Sequence, residues 1–281
     1  MPDIDCRHQN LLDRIAGDFT GQANFPTCLD AAVTVRNTLQ QEQVTLEMLS
    51  NTVASSPLIA ARILRLANAS TYNPAGKPIT DLGSAISRIG FEAVRSVSLA
   101  IAIAQMNAPQ QPPHFSIIAA STLEHSLQVA AIARTLARTL GRINPDEAML
   151  AGLVHDIGIF YLLYRAAEDD RYHQDPALLA DLLTRHHETI GEQLLQALAL
   201  PGRIISAVRE HEHLQHIEAP SSIRDILYFA NLLADPVVSE AAPDLPPAER
   251  ELRQFDRERY QAILNDAEEH ISDLRTALAA A

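Results

Sequence analysis

Apolar residues recur along this chain at three- and four-residue intervals, with prolines and glycines as punctuation. Ser56-Pro57 reads as an N-cap followed by Pro at the first helical position. Behind it, Ile59, Ile63, Leu66 and Ala67 share one face of a helix. Asn73 to Gly76 is a turn cluster, and Thr80 can cap a helix whose Leu82, Ala85, Ile86 and Ile89 again line one face. Gly90 suits the left-handed position that ends it, and Phe91 to Met106 is the next helix. Pro109, Pro112 and Pro113 mark a linker, since proline lacks an amide donor and disfavours helix in the residue before it. Phe115 to Leu140 reads as one long helix stopped at Gly141. Asn144-Pro145 opens another that is expected to run unbroken to about Leu163, and Asp175-Pro176 repeats that opening. Pro201, Pro220 and Pro236 separate later helices, Pro243 to Pro247 is a connector, and Ala248 to Ala281 is a charged stretch of helical pattern. No strand-like alternation and no internal repeat interrupts this reading, so the fold class is all-α.

Composition agrees. Of 281 residues 47% are hydrophobic and only 5% aromatic, and Trp is absent. Ala and Leu, both strong helix formers, dominate. The formal charge of −13 repels phosphate backbones, which argues against nucleic acid as a partner. Gly90-Phe91 between two helices has the outline of a helix-turn-helix, but no basic recognition helix follows it. Two cysteines, Cys6 and Cys28, form neither a disulfide framework nor a paired metal motif. The first residues lack the basic and apolar regions of a signal peptide, and no uninterrupted apolar run approaches the roughly 18 residues of a membrane span. The expected setting is a reducing cytoplasm, with no membrane contact.

The eleven histidines carry the chemical interest. His155-Asp156 lies on an apolar helix, and neighbours on a helix point about 100° apart, so both serve one site only across a helix edge. His125 precedes the pair, and His187 and His211 fall on later helices. Imidazole and carboxylate groups on consecutive helices can converge inside a bundle to hold Mn, Fe, Co or Zn. The same residues can equally form a hydrogen-bonded polar cluster without an ion. His186 and His213 read as solvated neighbours of this set, and His8, His114, His173, His216 and His270 as surface residues. Arg62, Arg65, Arg88 and Arg95 cluster in the N-terminal half, where solvated faces and internal ion pairs are the simpler account and a phosphate-binding surface the sharper one.

The segment His155-Asp-Ile-Gly158, with Glu124-His125-Ser126 upstream, resembles the HD superfamily of metal-dependent phosphohydrolases. His187 to Leu195, Leu200-Pro201 and Ala207 to Glu212 are similar to the downstream pattern of its HDOD and HD-GYP branches. Phe25-Pro26, Ser56-Pro57-Leu58, Arg62 to Asn68 and Ala85 to Arg95 resemble the HDOD opening, which HD-GYP proteins lack. The resemblance spans about Phe25 to Asp235. It implies a helical bundle of HD-domain type with a smaller N-terminal helical subdomain. Residues 1–24 would be a helical extension, 25–235 the HDOD domain (25–108 the subdomain, 114–235 the bundle) and 236–281 a helical tail.

The resemblance also implies a ligand set of His125, His155, Asp156, His187 and His211, with His155 and Asp156 as the catalytic pair and Asp156 bridging if two metals bind. A later Asp completes the family's set, and here Asn231 stands in its place, neutral and a weaker ligand. Asp235, one turn on, is a possible substitute. Many relatives carry Lys after HDIG, and this chain has Ile159, which removes a cation that would hold a phosphate. The HDOD resemblance implies a bacterial, cytoplasmic signal-transduction module acting through a protein partner, with a degenerate HD metal site. The alternatives are a metal-dependent phosphohydrolase of nucleotides or cyclic dinucleotides, and a module that senses a nucleotide without cleaving it. A receiver, kinase or cyclase domain needs about 100 residues, so input is expected from a separate protein or from the segment before Phe25.

Overall fold

The computed structural model describes residues 7–20, 29–106, 112–213, 217, 219–235 and 247–278. Fourteen helices and no strand occur among them. In chain order they are α1 (Gln9–Thr20), α2 (Asp30–Leu39), α3 (Leu46–Ala54), α4 (Pro57–Asn68), α5 (Leu82–Ile89), α6 (Phe91–Gln105), α7 (Pro113–Leu140), α8 (Pro145–Val154), α9 (Ile157–Ala166), α10 (Asp170–Gln174), α11 (Pro176–Ala197), α12 (Gly202–Arg209), α13 (Ile223–Leu233) and α14 (Pro247–Leu278). Helices α2 to α6 pack on one another, α6 leans on α8, and α7, α8, α9, α11, α12 and α13 form the larger bundle. Cys6, Cys28, Phe25-Pro26, Pro109 to Gln111, His216 and the 236–246 connector lie outside the described residues.

Local chemistry accounts for several helix ends. Asn144 accepts hydrogen bonds from the amides of Asp146 and Glu147, and Asp175 from those of Ala177 and Leu178, so both Asx-Pro openings cap the helices behind them. Gly141 ends α7 at φ 69°, ψ 9°, a left-handed conformation that glycine adopts without a Cβ penalty. Three expectations are corrected. Asp81, not Thr80, caps α5, accepting from Ser84 N. Gly90 has φ 86° but ψ 163°, so it joins α5 to α6 in an extended mirror conformation and not a left-handed turn. The helix opened by Pro145 does not run to Leu163: it stops at Val154 and restarts at Ile157.

Every residue from Ala148 to Leu163 is buried, so the interrupted α8–α9 rod is the centre of the bundle. Two glycines let it sit there. A Cβ on Gly152 would come within 2.6 Å of Ala130 Cα in α7, and one on Gly158 would overlap the His187 carbonyl of α11 and approach Gly191 N to 2.8 Å. The helices touch backbone to backbone at both places. By length and composition α7 and the α8–α9 stretch could each cross a bilayer, but 56% and 89% of their most apolar windows are buried within the bundle.

Helix α14 packs against α7, α13 and α4 through Ile263, Ala267, His270, Leu274 and Ala277. Polar anchors fix it: Asp273 accepts from Thr71 N at 2.9 Å, Arg65 donates to Thr276 O at 2.9 Å, and Arg275 pairs with Glu124. His270 is therefore a core residue and not a surface one. The same correction applies to His8, which is fully buried between the Tyr172 hydroxyl (2.9 Å) and Asp181 (3.1 Å). Arg62 is also buried, against the expectation of a solvated face.

Candidate metal centre

The break between α8 and α9 falls on His155-Asp156. Asp156 takes φ −100°, ψ 19°, in the sparsely populated bridge between helix and sheet regions where many active-site residues sit. This turn removes the 100° divergence of a regular helix. His155 Nε2 lies 3.1 Å from Asp156 Oδ2, and both side chains serve one site. His125 arrives from the middle of α7 and His187 from the middle of α11. His211 sits on the turn just after α12, not on a helix. Ring centroids form a chain: His125 to His155 5.1 Å, His155 to His211 5.0 Å, His211 to His187 5.9 Å.

All four imidazoles are held alike. Nδ1 donates to a backbone carbonyl in each: Asp235 O for His125 (2.6 Å), Gly152 O for His155 (2.7 Å), Leu183 O for His187 (2.9 Å) and Val208 O for His211 (2.6 Å). A carbonyl only accepts, so Nδ1 carries a hydrogen in each ring and Nε2 is the nitrogen turned toward the cluster. That is how metal-ligating histidines are oriented by the groups behind them. The Nε2 atoms of His155 and His187 are buried and lie near carboxylate oxygens, yet make no aligned hydrogen bond. A buried Nε2 set among carboxylate oxygens in this way fits a ligand of a common centre.

Beside a group formed by His187, Glu188 and Glu212, ligand atoms gather into two buried triads, His125–His155–Asp156 and Asp156–His187–His211, each with its atoms within 4.8 Å of one another. Asp156 belongs to both. Exposure of these five residues is 1% to 6%. Asn231, on α13, joins the first triad, its Oδ1 2.8 Å from His125 Nε2. Asp235 does not substitute for it: its carboxylate accepts from Gln128, and only its backbone carbonyl reaches His125. Ile159 is buried, so no cation stands at that position.

Electrostatics follow from the packing. Burial favours the neutral Asp156 carboxyl, but His155 and His211 outweigh it and hold the group well below the usual carboxylate range. Burial pushes the His155 imidazole down, with Asp156 opposing. Burial acts the same way on His211 and His187, but there Asp156 and Glu212 prevail. His211 is raised, and His187 is raised to about 9.

Glu212 is the residue that sequence inspection passed over as a ligand. It lies on the turn beside His211, with Oε1 3.3 Å from His187 Nε2 and 3.8 Å from His211 Nε2. Its carboxyl is lowered: burial raises it, and His187 and then His211 more than compensate. The run Arg209-Glu-His-Glu-His213 is the only local hint of it. His213 is exposed as expected, while His186 is half-buried, edge-on to His8.

The HDOD domain family model matches residues 25–214. The chain belongs to the HDOD family. Solved structures share its all-α HD-type fold. One is a protein from Shewanella amazonensis SB2B provisionally named a metal-dependent phosphohydrolase, 20% identical, with TM-score 0.73, covering 95% of this chain and 98% of its own. A protein from Marinobacter aquaeolei VT8, provisionally named a signal transduction protein, is 20% identical with TM-score 0.60 over 99% of this chain and 67% of its own. An HDOD domain protein of unknown function from Geobacter sulfurreducens is 19% identical with TM-score 0.58, covering 98% of each chain. No curated protein matches. The HDOD match stops before α13, so Asn231 and all of α14 lie beyond it.

Proposed function

We propose that this HDOD chain is a cytoplasmic signal-transduction module that acts through contacts with a protein partner, and that its His/Asp cluster holds a divalent ion without turning over a phosphate substrate. The observation that carries this reading is the closure of the cluster. Its five ligand-bearing residues are at most 6% exposed. Two surface clefts, at Leu46, Asp81 and Arg88 and at Asn10, Arg14 and Arg171, include none of them. Asn231 and Ile159 point the same way: one withdraws an anionic ligand and the other a cation for phosphate. His125, His155, Asp156, His187 and His211 would hold the ion, and imidazole with carboxylate suits Mn, Fe, Co or Zn.

A specific observation favours the runner-up, a metal-dependent phosphohydrolase. Two triads meeting at one carboxylate suit a two-metal site, where bound cations lower the pKa of water and polarise a phosphoryl oxygen. The two readings separate in a turnover screen of the metal-loaded full chain against phosphomonoesters, nucleotides and cyclic dinucleotides. The regulatory reading expects no turnover that His155→Ala/Asp156→Ala removes. Turnover that needs metal and disappears in that double variant would overturn it.

A further inference from the structure

The two triads are not equivalent. The first, His125, His155 and Asp156, is completed by the neutral amide of Asn231. Beside the second, Asp156, His187 and His211, stands a further carboxylate, Glu212. We propose that an ion settles first in the second half-site, held by Asp156, His187, His211 and Glu212, and that the Asn231 half fills only weakly. This rests on the metal-holding reading above.

Geometry supports the assignment. Two ligands about 2.1 Å from one ion at a tetrahedral angle are about 3.4 Å apart. The measured separations are 3.5 Å for His211 Nε2 to Asp156 Oδ1, 3.3 Å for His187 Nε2 to Glu212 Oε1 and 3.8 Å for His211 Nε2 to Glu212 Oε1. Three edges of a four-ligand shell are therefore in place. The buried Nε2 of His187, 5% exposed and without an aligned hydrogen bond, is directed into that shell.

Charge supports it too. Two carboxylates and two neutral imidazoles neutralise a divalent cation, whereas the other half has only the Asp156 carboxylate that it shares. Glu212 itself is 43% exposed, so this carboxylate reaches solvent while Asp156, His187 and His211 stay buried. Glu188 is the competing carboxylate. Its ligand atom groups with those of His187 and Glu212, but of the two glutamates it is Glu212 that also approaches His211, at 3.8 Å.

The test is a titration of the chelator-stripped full chain with Zn2+, with ions counted by native mass spectrometry and affinity measured against a competing chelator. Circular dichroism checks the fold of each variant. Wild type is expected to take one ion tightly. Glu212→Gln, at a half-exposed position, should keep the fold and lose affinity by roughly a hundredfold or more, since even outer-shell partners are worth ten- to a hundredfold. Glu188→Gln should bind like wild type. Asn231→Asp should raise the tight count from one to two. A wild-type ion retained unchanged in Glu212→Gln, or lost in Glu188→Gln instead, would overturn the assignment while leaving the metal reading intact. An unchanged count in Asn231→Asp would overturn the asymmetry. No ion bound by wild type at all would overturn both the assignment and the metal reading beneath it.

Discussion

Gly158 is the position where one methyl group should do the most damage. Its α9 backbone rests on α11, and a Cβ there would overlap the His187 carbonyl oxygen and come within 2.8 Å of both His187 C and Gly191 N. None of these is the end of a flexible side chain. All are backbone atoms inside a regular helix, so α9 and α11 must part. Overpacking of this kind costs about 1–3 kcal/mol, and the upper end applies where backbone must move. Alanine returns about 1 kcal/mol through helix propensity. The net loss for Gly158→Ala is then about 2 kcal/mol, which lowers Tm by about 4–8 °C in a chain of this size. Because the displaced carbonyl belongs to His187, ion affinity should fall in parallel by about tenfold or more. Gly191→Ala is the matched control. Its Cβ would meet Gly158 N at 3.4 Å and Gly158 Cα at 3.7 Å, ordinary contact distances, so stability should change by less than about 1 kcal/mol. Calorimetric melting of both variants, with and without added Zn2+, is the assay. A Gly158→Ala protein that melts with wild type, or a Gly191→Ala protein that loses as much, would refute the claim that backbone contact at Gly158 sets this interface.

Other outcomes follow from the same geometry. Burial, followed by Arg134, pushes the His270 imidazole down to about 3, and its buried Nε2 has no hydrogen-bond partner. The folded chain refuses a proton that the unfolded chain takes up near pH 6.5, so stability falls by about 1.4 kcal/mol per pH unit as pH drops below that value. Urea unfolding of wild type and His270→Gln should show their stability difference shrinking by about 2 kcal/mol between pH 6.5 and 5, and a pH-independent difference would count against a neutral His270. Asp175→Ala removes the acceptor for Ala177 N and Leu178 N at the start of α11 and should cost about 1 kcal/mol in urea unfolding; no loss would deny the cap a role. Asp156→Asn takes the shared carboxylate from both triads and should abolish tight ion binding, whereas His125→Ala should leave the first ion bound.

Which features were legible in the sequence depended on how local their cause is. Asn144-Pro145, Asp175-Pro176 and Gly141 act within one helical turn, and each does in the fold what its residue type implies. The break at His155-Asp156 was not legible. Ala148 to Leu163 is continuously apolar around the pair, and the interruption goes with tertiary contacts at Gly152 and Gly158 that no periodicity records. His125, His155, Asp156, His187 and His211 could be named from motif order, but their convergence depends on the packing of α7, α8, α9 and α11. Glu212 escaped because it sits on a turn, outside any repeating face. His8 and His270 misled because each is buried by partners far along the chain, Tyr172 and Asp181 for one and Tyr72 for the other.

Metal content of the full chain, purified without a metal-affinity tag and measured by elemental mass spectrometry beside His155→Ala/Asp156→Ala, tests the central claim most directly. The four inward Nε2 atoms around Asp156 predict a near-stoichiometric divalent ion in wild type that the double variant lacks. A wild-type protein without metal that stays empty on loading, with the variant merely less stable, would contradict it and leave a hydrogen-bonded polar core in place of a metal centre.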